Sequence, residues 1–369
     1  MTKFVALLGA CIAAVVCSNA QQIHSIDSLL STMYNNQQPG IGIGIVQNGK
    51  TVFTGGYGVK DVTTKQPIQA STNFNIASLT KQFTAMAVLQ LAQQGKLNLD
   101  DSPGKYLPSL NKHVANKITI RQLLSHSSGL IDHYSYASSK GLQHAHNIDV
   151  FKAIENIDST YFTPGTQFRY SNTAFCTLAL IIEKVSGTTY NNYIQQHIFK
   201  PAGMGHTTIW NEHAQIYQPA TGYTLDSATQ TFIKSQAEEH VFFSTEGDGG
   251  VYTSVDDYIR WFEALQGGTI FPSAIVQQAR SIEFTIDKNK QLGYGFGWFL
   301  DAGSGAVKVY HSGDNSGFRT FTFSLPSQNF LIVVFANRDD INIEELVQKI
   351  YSILMPGVKP FTKVEELTS

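Results

Sequence analysis

Cysteine is scarce in this chain: 369 residues carry three. Two of them, Cys11 and Cys17, fall in the first twenty residues, where Lys3 precedes an apolar run of fourteen from Phe4 to Cys17. The small residues Ser18, Asn19 and Ala20 follow, at the positions a signal peptidase reads. Such a run is too short to cross a bilayer as a helix, so residues 1–20 read as a cleaved secretory signal and no transmembrane segment is expected. The protein is then exported, to a periplasm or the exterior. Leu8-Gly9-Ala10-Cys11 also fits a lipoprotein box, which leaves lipid anchoring at Cys11 as the alternative. Removing the signal leaves Cys176 alone, so an internal disulfide is excluded and the core must supply stability. Cys176 lies in the apolar stretch Ala174 to Ile182 and reads as a small buried hydrophobe rather than a reactive thiol. Asn-x-Ser/Thr acceptors are absent, which points to a bacterial setting.

Charge is sparse as well. Charged residues make up 15% of the chain, 26 basic against 28 acidic, with no block of either sign. Nucleic acid and anionic membrane surfaces are therefore not expected partners. His-Glu-x-x-His and Gly-x-Ser-x-Gly are both missing, which argues against a zinc peptidase and an α/β-hydrolase elbow. His144-x-His146, with His133 nearby, has no carboxylate or cysteine to complete a metal set. Neither a metal nor a cofactor is expected. Hydrophobic residues, at 42%, suffice for one large core or two joined lobes.

The pattern along the chain gives an order of elements. Gly42–Val46 and Thr51–Gly56 are strand-like and joined through Asn48-Gly49, a two-residue hairpin signal. The Gly40-x-Gly42-x-Gly44 spacing runs into that hairpin, so it reads as close strand packing and not as a nucleotide loop. Ala77 to Gln94 has helical periodicity with apolar residues on nearly every face, closed by Gly95. Helices are expected within Thr119–His126, Ile148–Ile157, Thr173–Val185 and Asp256–Gln266, the last with Ser254 and Asp257 spaced as a capping box. Ala306–Tyr310, Thr320–Leu325 and Phe330–Ala336 read as strands, and Ile341–Leu354 as a helix stopped by Pro356. The fold class is α+β, an α/β sandwich. Both chain ends form one antiparallel sheet flanked by helices (21–96 and 285–355), a mostly helical lobe is inserted (97–284), and 356–369 is a tail. A site between the lobes would suit a small-molecule or peptide substrate.

Lys81 is the only charge in a stretch of thirty residues between Lys65 and Lys96, one turn inside a helix that otherwise reads as buried. A desolvated lysine loses its proton more easily and can act as a base. Ser78 lies three residues earlier on the same helical face. Alone, Ser-x-x-Lys is too common to assign anything. It is joined by Tyr170-Ser171-Asn172 directly before a helix, and by His311-Ser312-Gly313 at the end of a strand leading into a glycine-rich turn.

In this order, Ser-x-x-Lys, Tyr-x-Asn and His-x-Gly resemble the serine β-lactamase and penicillin-binding protein superfamily. The resemblance is to the branch with class C β-lactamases, a DD-carboxypeptidase, D-aminopeptidases and β-lactamase-like esterases. The segments Leu123–Leu130, Gly247-Asp248-Gly249-Gly250 and Phe335–Arg338 extend it, so that it runs from about Ile41 to Leu354. It implies the DD-peptidase/β-lactamase-like fold, with Ser78 as nucleophile of an acyl-enzyme and Lys81 and Tyr170 sharing the proton transfers. It further implies that Asn172 holds Lys81 and the substrate amide. The backbone N–H groups of Ser78 and Asp314, after Gly313, would form the oxyanion hole. His311 would help to place Tyr170 or a substrate carboxylate. Where class C enzymes have Lys-Thr-Gly this chain has His311-Ser312-Gly313, replacing a permanent cation by a group charged only in part near neutral pH. The implied activity is hydrolysis of an amide, peptide or ester, closer to DD-peptidase, D-aminopeptidase or esterase than to a dedicated β-lactamase. The alternative is a penicillin-binding or sensing protein that acylates with little turnover. Oligomeric state is left open.

Overall fold

Alternation of apolar side chains decides the centre of the fold. In strand Phe330–Ala336 every residue is buried. Leu331, Val333 and Phe335 join one core cluster, while Phe330, Ile332, Val334 and Ala336 join another on the opposite face. A strand with two apolar faces needs cover on both sides, and helices supply it. The computed structural model describes residues 20–134, 144–236, 240–268, 270–303 and 305–363. The expected signal lies outside these except for Ala20, which opens a helix over 20–33. Ile26 and Leu30 of that helix, spaced i, i+4, pack with Val347, Ile350 and Leu354 of helix Ile343–Leu354 against the outer face. On the inner face lies helix Val255–Gly267. A Cβ added to Gly44 would come within 2.7 Å of Val255 Cγ1, so the glycines of strand Ile41–Gln47 let this helix approach.

The sheet is antiparallel and has eight strands. Their order is Phe284–Asp287, Leu292–Tyr294, Phe299–Asp301, Lys308–Asn315, Phe318–Leu325, Phe330–Ala336, Ile41–Gln47 and Lys50–Tyr57. Both ends of the chain thus meet in one sheet between helical layers, the expected fold class. The Asn48-Gly49 turn holds Gln47 opposite Lys50, with both turn residues at positive φ.

The structure also corrects the element reading. Three strands before Lys308 were not expected; they have only three or four residues each and no clean alternation. The strand ending in His311-Ser312-Gly313 continues to Asn315, and the turn is Ser316-Gly317. A hairpin of Tyr223–Asp226 and Thr231–Lys234 lies within the lobe expected to be mostly helical. The helix expected over Thr119–His126 shrinks to Ile120–Leu124, because His126 leaves it at positive φ. Ser254 caps helix Val255–Gly267 by accepting from the Asp257 N–H. The Asp257 carboxylate, however, accepts from the His206 N–H, Thr207 Oγ1 and Arg260, and not as a reciprocal cap.

Candidate active site

The site begins at a backbone turn. Ile76 donates its N–H to the Val251 carbonyl at 2.9 Å, and the next residue, Ala77, sits at φ +47° with its N–H on Asn75 Oδ1. Positive φ in a residue with a Cβ is costly and persists only where the surroundings enforce it. Here it swings Ser78 out on a 3₁₀ turn, Ala77–Thr80, so the α-helix starts at Lys81 and not at Ala77 as the periodicity suggested. Thr84 Oγ1 donates to the Gly247 carbonyl at 2.6 Å and fastens this helix to the segment Gly247–Gly250.

Lys81 is fully buried. Its Nζ donates to Ser78 Oγ at 3.0 Å and to the Asp248 carbonyl at 2.9 Å. Burial pulls the ammonium down to about 8, against the opposing pull of the Asp248 carboxylate and of Cys176. The amine that rests on the serine hydroxyl therefore gives up its proton near pH 8, well below the ordinary lysine range.

Tyr170 and Asn172 flank Ser171, whose hydroxyl caps helix Asn172–Ser186 by accepting from the Ala174 N–H. His126 fixes this corner: its carbonyl accepts from the Arg169 N–H and its Nδ1 from the Ser171 N–H at 3.0 Å. Its ring lies 4.3 Å from that of Tyr170. Lys81 Nζ lies 4.9 Å from the Tyr170 ring centroid. The Tyr170 hydroxyl is buried and makes no hydrogen bond of ordinary geometry. Burial drives this phenol far above the ordinary tyrosine range; the nearby Ser78 hydroxyl lowers it and the Asp248 carboxylate raises it further. Tyr170 stands as a neutral phenol. Asn172 departs from its expected contact. Its Nδ2 donates to the Tyr134 hydroxyl at 2.9 Å, its Oδ1 is buried without a partner, and the Asp248 carbonyl takes the place foreseen for it against Lys81.

The third side is a strand edge. Strand Phe299–Asp301 pairs with Lys308–Asn315 only as far as Tyr310, which leaves His311 to Asn315 unpaired on that side. His311 Nε2 meets the Tyr294 hydroxyl at 3.1 Å and Nδ1 meets the Ser312 carbonyl at 2.6 Å. Burial, with the Lys81 charge acting the same way, depresses this imidazole to about 3 against the pull of the Ser312 carbonyl. It is neutral at physiological pH, not partly charged, and both ring nitrogens are engaged. Gly313 lies against the nucleophile turn: a Cβ there would be 2.3 Å from the Ile76 carbonyl oxygen. Asp314 accepts from Arg319 at 2.6 Å. Cavities of about 570 and 310 Å³ open on either side, and both are lined by Ser78 and Asp314.

The remaining candidates disperse. His133 Nδ1 bonds Thr173 Oγ1, whereas His146 Nε2 faces Glu212 at 3.7 Å. Among the described residues no group of three or more His, Cys, Asp or Glu could hold a metal, and no helix is long and apolar enough to cross a membrane. Cys176 is buried and burial raises its thiol strongly, but it is more than filler: Sγ donates to Asp248 Oδ1 at 3.2 Å. Asp248 had no assigned role in the sequence. The signal available was a charged residue between glycines in Gly247-Asp248-Gly249-Gly250.

Comparison with known proteins bears on the family and the fold. Protein flp of Staphylococcus aureus (strain MW2) is 34% identical over 316 residues, covering 84% of this chain and 62% of the relative. The chain thus spans less than two thirds of that relative's length. The octameric penicillin-binding protein homologue from Pyrococcus abyssi superposes with a TM-score of 0.79 at 25% identity, over 90% of this chain and 77% of that one. A penicillin-binding protein from Bacillus halodurans shares the fold, with a TM-score of 0.78 at 24% identity over 89% and 98% of the two chains. Residues 26–349 match the Beta-lactamase family, and the chain is a member of that family.

Proposed function

We propose that this protein is an exported serine hydrolase that cleaves an amide, peptide or ester bond through an acyl-enzyme on Ser78. The observation that carries the reading is the 3.0 Å hydrogen bond from a fully buried Lys81 to Ser78 Oγ, with the amine drawn down to about 8. Ser78 Oγ attacks the acyl carbon and its proton passes to the neutral Lys81 amine. The Tyr170 phenol gives its proton to the leaving group as the bond to the acyl carbon breaks, and it recovers one from Lys81. Water then attacks the ester, its proton returns by the same groups, and Ser78 is restored. The backbone N–H groups of Ser78 and Asp314 stabilise the oxyanion, a role supported by their place on the shared wall of both cavities. Asn172 orients the substrate amide. The neutrality of His311 weighs against an electrostatic grip on a substrate carboxylate, and so against a dedicated β-lactamase.

The test is labelling with a fluorophosphonate and a fluorescent penicillin, followed by intact mass. Both labels should be lost in Ser78→Ala, and the penicillin adduct should decay with release of product. A stable adduct with no turnover of esters or amides favours the acylating sensor. Labelling that survives Ser78→Ala removes the assigned nucleophile.

A further inference from the structure

Two imidazoles stand beside Tyr170, and each already has its acceptor nitrogen taken. His126, with its ring 4.3 Å from that of Tyr170, accepts the Ser171 N–H at Nδ1. His311 lies with its ring 6.0 Å from the phenol ring. Its Nδ1 is 2.6 Å from the Ser312 carbonyl oxygen, which can only accept, so Nδ1 carries the ring hydrogen. A neutral imidazole then has its lone pair at Nε2, and the Tyr294 hydroxyl 3.1 Å away is the donor to it. The setting keeps the ring neutral: it is 1% exposed, and the Lys81 ammonium opposes a second positive charge. Among the described residues the other titratable groups facing it are His126, Tyr170, Tyr294 and Tyr258. The Tyr258 hydroxyl, from helix Val255–Gly267, donates to Thr322, which stands opposite His311 in the sheet. None of these supplies a negative charge.

Tyr294 is built to donate. It is fully buried at the end of strand Leu292–Tyr294, opposite Phe299, whose ring meets its own edge-on at 4.9 Å. Burial keeps its phenol protonated, and the Tyr170 phenol close by adds to this effect. We infer that Tyr294 is a positioning residue: by donating to His311 Nε2 it closes the remaining imidazole acceptor beside Tyr170 and reserves the Tyr170 proton for the leaving group. The destination of that proton rests on the acyl-enzyme reading; the tautomer of His311 does not. The closure of both imidazoles also accounts for a Tyr170 hydroxyl that is buried without a hydrogen bond of ordinary geometry.

The tautomer is tested on the unaltered full chain by ¹⁵N NMR of labelled histidine, with the His311 signals assigned by their loss in His311→Asn. Nδ1 should be protonated and Nε2 bare across pH 5.5 to 8, and a hydrogen on Nε2 overturns the inference. Kinetics tests the role, with phenyl acetate and 4-nitrophenyl acetate as substrates. They share an acyl group, but the phenoxide leaves far better when a proton is supplied. In Tyr294→Phe the kcat/KM for phenyl acetate should fall about ten- to a hundredfold, part of what a general acid contributes, with 4-nitrophenyl acetate little changed. His311→Asn keeps a donor for the Ser312 carbonyl and lacks Nε2, so in that background Tyr294→Phe should cost phenyl acetate little more. An equal fall for both esters, or an undiminished penalty in the His311→Asn background, overturns the inference, because Tyr294 would then act through packing. Esters left intact by the unaltered protein, or cleaved as fast by Ser78→Ala, remove the acyl-enzyme reading instead.

Discussion

The backbone carbonyl of Asp248 accepts a 2.9 Å hydrogen bond from Lys81 Nζ, and the side chain of Asn172, the expected partner, does not. Lys81 is thus held by main chain on one side and by Ser78 on the other, in a pocket that disfavours its charge.

This arrangement makes Lys81 costly to keep and hard to replace. Its folded value of about 8 lies below the ordinary 10.5. Below pH 8 both folded and unfolded chains hold the proton, and the cost of burying it is fully present. Between 8 and 10.5 the unfolded chain holds more protons, so this cost fades as pH rises. The unfolding free energy of the native protein, minus that of Lys81→Met, should therefore rise by about 3 kcal/mol between pH 7 and pH 11. Acylation by a fluorophosphonate should fall about 10²- to 10⁴-fold in the variant. Chemical denaturation across pH checks the first expectation, and a flat difference would refute it.

Tyr170 should separate stability from chemistry in another way. Its hydroxyl is buried and lacks a hydrogen bond of ordinary geometry, so Tyr170→Phe removes a polar group that folding leaves unsatisfied. The variant should melt at or above the native temperature. If the phenol relays a proton, turnover should drop about 10²- to 10⁴-fold. Turnover within twofold of the native protein would reduce Tyr170 to a packing residue.

The parts of the site legible in sequence were those set by spacing. Ser78 and Lys81 lie three apart, and Ser171, between Tyr170 and Asn172, caps the following helix. The hairpin at Asn48-Gly49 and the helices with strong periodicity were legible for the same local reason. What escaped depends on contacts distant in the chain. The 3₁₀ turn under Ser78 exists because Ile76 bonds Val251 and Gly313 presses on Ile76. Asp248 and Cys176 are 72 residues apart and show no pattern that joins them. The short strands before Lys308 are held by pairing with a neighbour rather than by their own composition.

The pH profile of acylation should carry one rising limb near 8, set by Lys81. His311 titrates at about 3, so no limb belongs to it between pH 5 and 7.5. Fluorophosphonate labelling rates from pH 5 to 10 distinguish the two. A limb near 6.5 that vanishes in His311→Gln would show that the imidazole is charged in the working site.

Gly313 has no room to change. A Cβ would meet Thr320 Oγ1 at 2.2 Å and the Ile76 carbonyl oxygen at 2.3 Å, the second being backbone just before the nucleophile turn. Gly313→Ala must push the strand edge away from Ser78. We expect a loss of about 1–3 kcal/mol in stability. Labelling of the folded variant should fall much further than its folded fraction, because Asp314 moves with the strand. A variant that labels in proportion to its folded fraction would exclude a role for this edge in catalysis.

Cys176 gives the last test, because two readings of it differ in outcome. As a small hydrophobe it should accept Ala or Val with little more than a change in packing. As the donor to Asp248 Oδ1 it should accept Ser, whose hydroxyl keeps the hydrogen bond, better than Ala, which leaves the carboxylate without it. Losing the partner of a buried charged acceptor costs about 1–3 kcal/mol or more. Cys176→Ala should therefore be the less stable variant in thermal denaturation, although serine is the more polar residue to bury. The thiol itself should resist a maleimide in the folded protein, since burial raises it well above the ordinary cysteine range and it has no path to solvent. Equal stability of the two variants would return Cys176 to a purely apolar role.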